Sequence, residues 1–311
     1  MSACDRSLAL PKEQIEPKEP IEVVPRAALG IGLAVLAVVL FTVMDTIGKS
    51  LTASYPVEQV VWARYFFSLL ILLLLIPPVG VRELVGTRRL GLQVGRGLLL
   101  ALATLCMMTA ISLIPLADAY TIMFTAPLLV TVFSVPLLGE RVGWRLWSAV
   151  LVGFIGVLIV IRPGIGAVHW AMLLPLVTAV CFALYQILTR KVSETDGESP
   201  FAMLFYLGLV GTIVFTALAP FVWRPVAAID WAWMVTMGTI GAVSHLMLIR
   251  ALTLIPASLV SPFTYTQIVW ALILGYLVFG DLPDRWMLIG ATVIIASGLF
   301  VFYREAVLGK R

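Results

Sequence analysis

Residues 110–141 read AISLIPLADAYTIMFTAPLLVTVFSVPLLGER, and residues 251–282, which lie 141 positions further on, read ALTLIPASLVSPFTYTQIVWALILGYLVFGDL. Ala110, Leu113, Ile114, Pro115, Thr125 and Gly139 meet Ala251, Leu254, Ile255, Pro256, Thr266 and Gly280, Ser112 meets Thr253, and Glu140 meets Asp281. Apolar helices resemble one another by composition, but aligned proline, glycine and acidic positions mark helix ends, so the match points to a duplicated chain. A repeat inside an apolar chain is a feature of transporter folds built from two related halves.

The stretches around this repeat are equally apolar. Hydrophobic residues make up 61% of the 311 positions and charged residues 12%, and mean hydropathy is +1.06. A soluble domain carries about 45–50% apolar and about 25% charged residues, so the chain is an integral membrane protein. The net charge of +4 is small, and the Lys and Arg behind it lie mainly on one membrane face, so nucleic acid is not an expected partner. Cys4, Cys106 and Cys181 are odd in number and widely spaced, which indicates neither a disulfide framework nor a zinc site.

A span of about 17 to 25 apolar residues crosses the hydrocarbon as a helix. By that measure the expected spans are Ala28 to Gly48, Val60 to Pro78, Val94 to Ile114, Ala117 to Leu137, Leu146 to Ile161, His169 to Thr189, Phe201 to Val222, Trp231 to Leu252, Ser258 to Phe279 and Trp286 to Tyr303. Barrel strands are excluded by the length of the runs. Pro115 and Pro256 leave barely a turn between spans three and four and between spans eight and nine, so these are tight hairpins. Residues 1–26 mix both charge signs with proline and read as a disordered tail, followed by a first repeat over 27–163, a second over 164–304, and a short tail over 305–311. The first apolar run begins after Arg26, which does not match a cleavable signal peptide, so span one is expected in the mature protein.

Of the 21 Lys and Arg, about sixteen fall on the side that holds both termini and about four on the other, namely Lys49, Arg162, Arg224 and Arg285. The expectation is a bacterial inner-membrane protein with cytoplasmic termini. Five spans per repeat is an odd number, so the second half enters from the opposite face and the repeats are inverted.

No catalytic or cofactor motif stands out: GxSxG, a P-loop, HExxH and paired CxxC are missing, and His169 and His245 are the only histidines. Candidate function therefore rests on polar groups inside spans, where each costs about 2.5–3.5 kcal/mol unless it meets a partner or water. Asp45 and Lys49 share a face near the end of span one, and Arg64 lies over a turn into span two. They read either as a charged cavity lining, with Arg64 or Lys49 meeting an anionic group and Asp45 exchanging a proton, or as an ion pair and a snorkelling lysine that fix the first hairpin. Span four carries Asp118, Thr121 and Thr125 near Pro127, and its repeat mate carries Ser258, Ser261, Thr264, Tyr265 and Gln267 around Pro262. Polar residues beside prolines in corresponding helices point to a midplane substrate site, with interhelical hydrogen bonding as the structural alternative. His245 reads as a protonatable cavity residue or as a histidine bonded to a neighbouring helix. Tyr185, Gln186 and Tyr206 are further cavity candidates.

The quoted repeat, GFIGVLIVIRPG at residues 153–164, ten spans and cytoplasmic termini together resemble the drug/metabolite transporter superfamily and, within it, the EamA-type permeases. The resemblance runs from about Ala28 to Tyr303. It implies an all-α carrier of two inverted five-helix repeats around a central cavity that opens alternately to each face. Family members move amino acids, vitamins such as riboflavin, nucleotide-like metabolites or drugs. A small-molecule substrate and a proton or other coupling ion are the implied partners beside the lipid bilayer, with no cofactor, and the chain is expected as a monomer or homodimer. A lipid-head-group flippase and a non-transporting interaction protein are the rival readings. Orientation is testable directly: in a chain whose native cysteines are replaced by serine, Arg89→Cys and Lys191→Cys should label only from the cytoplasm and Pro225→Cys only from outside. External labelling at position 89 would reverse the assignment.

Overall fold

The structure is a computed structural model that describes residues 23–75, 85–139, 143–162, 169–196, 199–254 and 263–303. The helices are α1 (Val23–Leu51), α2 (Val57–Leu75), α3 (Leu90–Leu113), α4 (Leu116–Met123), α5 (Ala126–Leu138), α6 (Trp144–Ile161), α7 (Leu174–Asp196), α8 (Pro200–Val222), α9 (Ala228–Leu254), α10 (Thr266–Leu274) and α11 (Arg285–Tyr303). A 3₁₀ turn at Trp170–Leu173 leads into α7, and a π turn at Gly275–Phe279 follows α10. Among the described residues, eight stretches of helix are long and apolar enough to cross a membrane, and two shorter apolar ones, Thr266–Phe279 and Arg285–Val301, complete ten. Helix α1 starts at Val23, so the end of the expected tail is helical; Pro25 falls in the first turn, where a missing N–H costs nothing.

Span four is not the continuous helix expected from Ala117 to Leu137. It breaks at Phe124 and Thr125 into α4 and α5. Pro127 explains the break, because it cannot donate to the carbonyl of Met123 and its ring crowds that oxygen. The repeat mate breaks at Tyr265, the position equivalent to Phe124, and the two rings lie 5.0 Å apart. Both elements also end alike: Gly139 (φ 71°) and Gly280 (φ 73°) adopt the left-handed conformation that closes a helix and that a side chain disfavours. Pro262, around which the polar candidates of the second element fall in the sequence, lies outside the described residues, as do the hairpin at Pro256, Glu140, Ser258 and Ser261.

The large interfaces obey the duplication. Helix α1 packs on α9 as α7 packs on α3, and α2 on α9 as α8 on α3. The α2–α8 and α6–α11 pairs join equivalent helices. Each of these interfaces crosses from one repeat to the other, so the main buried cluster, from Met44 and Val60 through Ile111 and Tyr120 to Met237 and Ile294, is built jointly by both halves.

Helix α6 shows how packing is encoded by size rather than polarity. Leu151, Ile155 and Leu158 are exposed on its lipid side, whereas Gly153, Gly156, Val157 and Val160 are buried. A Cβ on Gly290 of α11 would sit 2.4 Å from Val160 Cγ2 and 2.8 Å from the Gly156 carbonyl oxygen. The small residues therefore serve contact within the monomer, with backbones in close approach. Gly290→Leu should destabilise the detergent-solubilised protein by about 1–3 kcal/mol, as overpacking does. Gly32→Leu, where nothing lies within 4 Å, should leave the thermal midpoint near wild type.

Candidate functional site

Three layers of polar contacts lie in the half of the bundle where α1 ends and α2 begins. The outermost joins the α1–α2 and α8–α9 loops: Tyr55 donates to Asp230 Oδ2 at 2.6 Å, and Gln59 exchanges hydrogen bonds with the Arg224 backbone at 2.9 and 3.0 Å. The Asp230 bond, which needs the phenol proton, raises the Tyr55 pKa.

The second layer is ionic. Lys49 Nζ donates to Asp281 Oδ2 at 3.0 Å and to the Ile114 carbonyl at 3.1 Å, and lies 4.6 Å from the centre of the Phe279 ring. Ile114 caps α3 in an extended conformation ahead of Pro115. An ammonium there answers both the carboxylate and the negative end of the helix dipole. Arg162 occupies the left-handed region (φ 52°), unusual for a residue other than glycine, and its guanidinium pairs with Asp284. Asp118 shares a cavity of about 220 Å³ with Pro115, Ala271, Leu272, Asp281 and Asp284. Burial works to raise the Asp284 pKa, but the Met287 N–H at 2.7 Å and Arg162 outweigh it, so the carboxyl titrates below its ordinary value.

The third layer lies inside the spans. Arg64 Nη1 donates to Asp45 Oδ1 at 2.9 Å, and the buried Tyr120 hydroxyl donates to Asp45 Oδ2. Gln267 of α10 lies within interaction range of that hydroxyl. Helices α1, α2 and α4 thus meet on one carboxylate, with the second repeat's α10 reaching its Tyr120 partner. The Asp45 side chain is 9% exposed beside a guanidinium that is 20% exposed. His245 of α9 stands edge-on to Phe41 at 4.8 Å and within electrostatic range of Arg64. Its Nδ1 lies 2.8 Å from the Gly241 carbonyl, which can only accept, so Nδ1 carries hydrogen and the Nε2 lone pair is left for another donor.

The expected grouping of Asp45, Lys49 and Arg64 therefore divides. Asp45 and Arg64 pair, whereas Lys49, one turn further along α1, turns to Asp281 and Ile114. The other candidates separate as well. Thr125 donates to the Ile122 carbonyl at the helix break, and the buried hydroxyls of Thr121 and Tyr265 have no hydrogen-bond partner among the described residues. The Tyr265 hydroxyl ends against Gly298 of α11, and Thr264 is helical immediately before the break at Tyr265. Tyr206 donates to the Val85 carbonyl at 2.7 Å, and His169 accepts from Ala171 N–H at the head of the 3₁₀ turn. Sequence reasoning did not single out Tyr120 or Asp284 and read Arg162 and Asp281 only as a helix-end motif and a repeat match. The one available signal was at Tyr120, a polar tip between Asp118 and Thr121 in the same polar stretch of span four.

The EamA-like transporter family matches the chain twice, over residues 28–162 and 169–303. An S-adenosylmethionine uptake transporter of Rickettsia bellii is 30% identical, over 89% of this chain and 94% of its own length. A riboflavin transporter of Vibrio cholerae is 27% identical over 87% and 92%, and a pseudopaline exporter of Pseudomonas aeruginosa is 28% identical over 86% and 94%. A solved crystal structure at 17% identity covers 93% of this chain with a TM-score of 0.58 and shares the fold.

The two ion pairs of the second layer differ in exposure, 14% and 27% for Lys49 and Asp281 against 30% and 43% for Arg162 and Asp284. Double-mutant cycles with Lys49→Met and Asp281→Asn should give a coupling of about 1–2 kcal/mol, and the Arg162–Asp284 cycle less than about 1 kcal/mol. Because the Asp284 pKa is depressed, the Arg162–Asp284 contribution should be complete above the ordinary carboxylate range and fade only as pH falls through it. A coupling that instead grew on acidification would contradict the pairing.

Proposed function

This chain belongs to the EamA-like transporter family, and we propose that it is a secondary carrier that moves a small organic metabolite across the bacterial inner membrane by alternating access, with both termini in the cytoplasm. The relatives named above carry S-adenosylmethionine, riboflavin and pseudopaline, one inward and one outward by name, so the shared architecture serves either direction. The two repeats, 27–163 and 164–304, act as the moving halves, and the tails 1–26 and 305–311 remain cytoplasmic.

The observation that carries the reading is the Arg64–Asp45–Tyr120 cluster, contributed by three helices of one repeat and approached by Gln267 of the other. Four of the five guanidinium N–H groups of Arg64 are uncommitted to this pair, and the side chain keeps 20% of its surface open. An anionic substrate group takes those donors in a fork geometry. Its arrival leaves Asp45 and the substrate sharing one guanidinium, so the site then favours a proton or a substrate ammonium on the Asp45 side. That coupling is the proposed role of Asp45, with the Nε2 of His245 as a second proton acceptor nearby.

Closure is the proposed role of the outer layers. Lys49–Asp281, Arg162–Asp284, Tyr55–Asp230 and Gln59–Arg224 all join one repeat to the other at one end of the bundle. Opening that end requires all four to part, which makes them the outer gate.

Reconstitution in liposomes with S-adenosylmethionine and riboflavin as first substrates tests the site. Arg64→Gln should weaken apparent affinity at least tenfold, which corresponds to about 1.4 kcal/mol. Asp45→Asn should flatten the pH dependence of transport, and the double variant should recover neither property. If the pair is only structural, each single substitution leaves a buried charge unpaired and lowers stability, and the double variant regains both stability and transport. That recovery would sink the proposal.

A further inference from the structure

Arg96 is a buried cation with no counter-ion among the described residues. It is the seventh residue of α3, at the end of the bundle opposite Lys49, and only 2% of it is exposed. Its Nε–H donates to Thr189 Oγ1 at 2.9 Å, and Nη1–H donates to Gln93 Oε1. The ring of Tyr185 lies 5.3 Å from Cζ. All three neighbours are neutral. The ion pairs described elsewhere give Lys49, Arg64 and Arg162 a carboxylate each, and none involves Arg96.

A guanidinium cannot shed its proton, and two of its five N–H groups are spent here, which leaves three. Burying such a charge without an opposite one is strongly unfavourable. Snorkelling, the usual relief for a cation near a membrane surface, is not used, since the side chain stays inside. The surroundings are also rigid: Thr189 spends its own proton on the Tyr185 carbonyl at 2.7 Å, so its oxygen is held in place to accept from Arg96. A planar donor fork fixed by neutral partners is the geometry that receives an oxyanion.

We propose that Arg96, with Gln93 and Thr189, is an oxyanion-binding station for the carboxylate or phosphate group of a ligand. It sits at the seam between α3 of the first repeat and α7 of the second. The interface that encloses it is the repeat-related counterpart of the α1–α9 interface. Separation of α3 from α7 admits the ligand, and their closure around it neutralises the guanidinium. The station is distinct from Arg64, which lies in the other half of the bundle and already has Asp45.

The test measures binding rather than transport, so it stands or falls separately from the Arg64–Asp45 reading. Full-length protein in maltoside detergent is melted in sodium phosphate or citrate against sodium chloride of equal ionic strength. The thermal midpoint should rise with phosphate or citrate in wild type and in Arg64→Gln. In Arg96→Gln the apparent affinity should fall at least tenfold, and Arg96→Lys, which keeps the charge but loses the fork, should fall between. Phosphatidylglycerol added against phosphatidylcholine distinguishes the source: an Arg96-dependent rise with the anionic lipid alone means that the phosphate belongs to a lipid headgroup. An identical rise in wild type and Arg96→Gln, a rise lost in Arg64→Gln instead, or no rise with any anion would overturn the station. If Arg96→Gln does not accumulate, an undiminished rise in Arg96→Lys would overturn it equally.

Discussion

Lipid offers no partner to a bare charge or an open backbone amide, and among the described residues the main breaks and ion pairs in the spans are placed where protein supplies one. The carbonyl left at the end of α3 takes Lys49. The break between α4 and α5 is covered by Thr125, whose hydroxyl bonds the Ile122 carbonyl, and by the Phe124–Tyr265 ring contact. Asp45 inside a span is tolerated because both of its oxygens are occupied. These polar contacts lie between helices inside the bundle, and the large residues exposed on its outside are mainly apolar.

That distribution links stability to the transport cycle. The large interfaces cross from one repeat to the other, so the surfaces that hold the fold together are the same ones that a carrier must slide or part. Apolar seams with glycine at the crossing points, as at Gly156 and Gly290, suit sliding because little directional bonding is lost. At the end where α1 meets α2 four directional contacts join the repeats, and under the gate proposed above their loss together is a discrete step rather than a gradual loosening.

The duplication is symmetric in backbone and asymmetric in charge. Gly139 and Gly280 have nearly the same φ, and the helix breaks at Phe124 and Tyr265 coincide under the repeat. Asp45 and Arg64 have no charged equivalents, since the residues 141 and 142 positions further on are Gln186 and Ile187 for the first and Phe205 and Tyr206 for the second. Helices α2 and α3 run antiparallel, so Arg64 early in one and Arg96 early in the other fall in opposite halves of the bundle although both belong to the first repeat. One repeat thus places a guanidinium at each depth, while the second contributes neutral partners such as Gln267, Thr189 and Tyr185.

The sequence by itself determined the architecture, because long apolar runs and the positions of proline and glycine are local quantities that need no partner to be read. Ten spans, two repeats and the helix ends at Gly139 and Gly280 all follow from counting along the chain. The sequence also singled out Asp45, Lys49 and Arg64 as candidates, since a charge inside an apolar run is visible as an exception. It did not determine their partners. Asp281 lies 232 positions from Lys49, and Tyr120 lies 75 from Asp45, and neither distance carries a periodic signal. Only the tertiary structure decided that Lys49 turns away from Asp45, that Arg162 reaches Asp284, and that Arg96 is a buried charge rather than one more cation on a membrane face. The physical reason is that pairing in a low-dielectric interior depends on which atoms lie within about 3 Å of one another, and helix packing, not spacing along the chain, sets that distance.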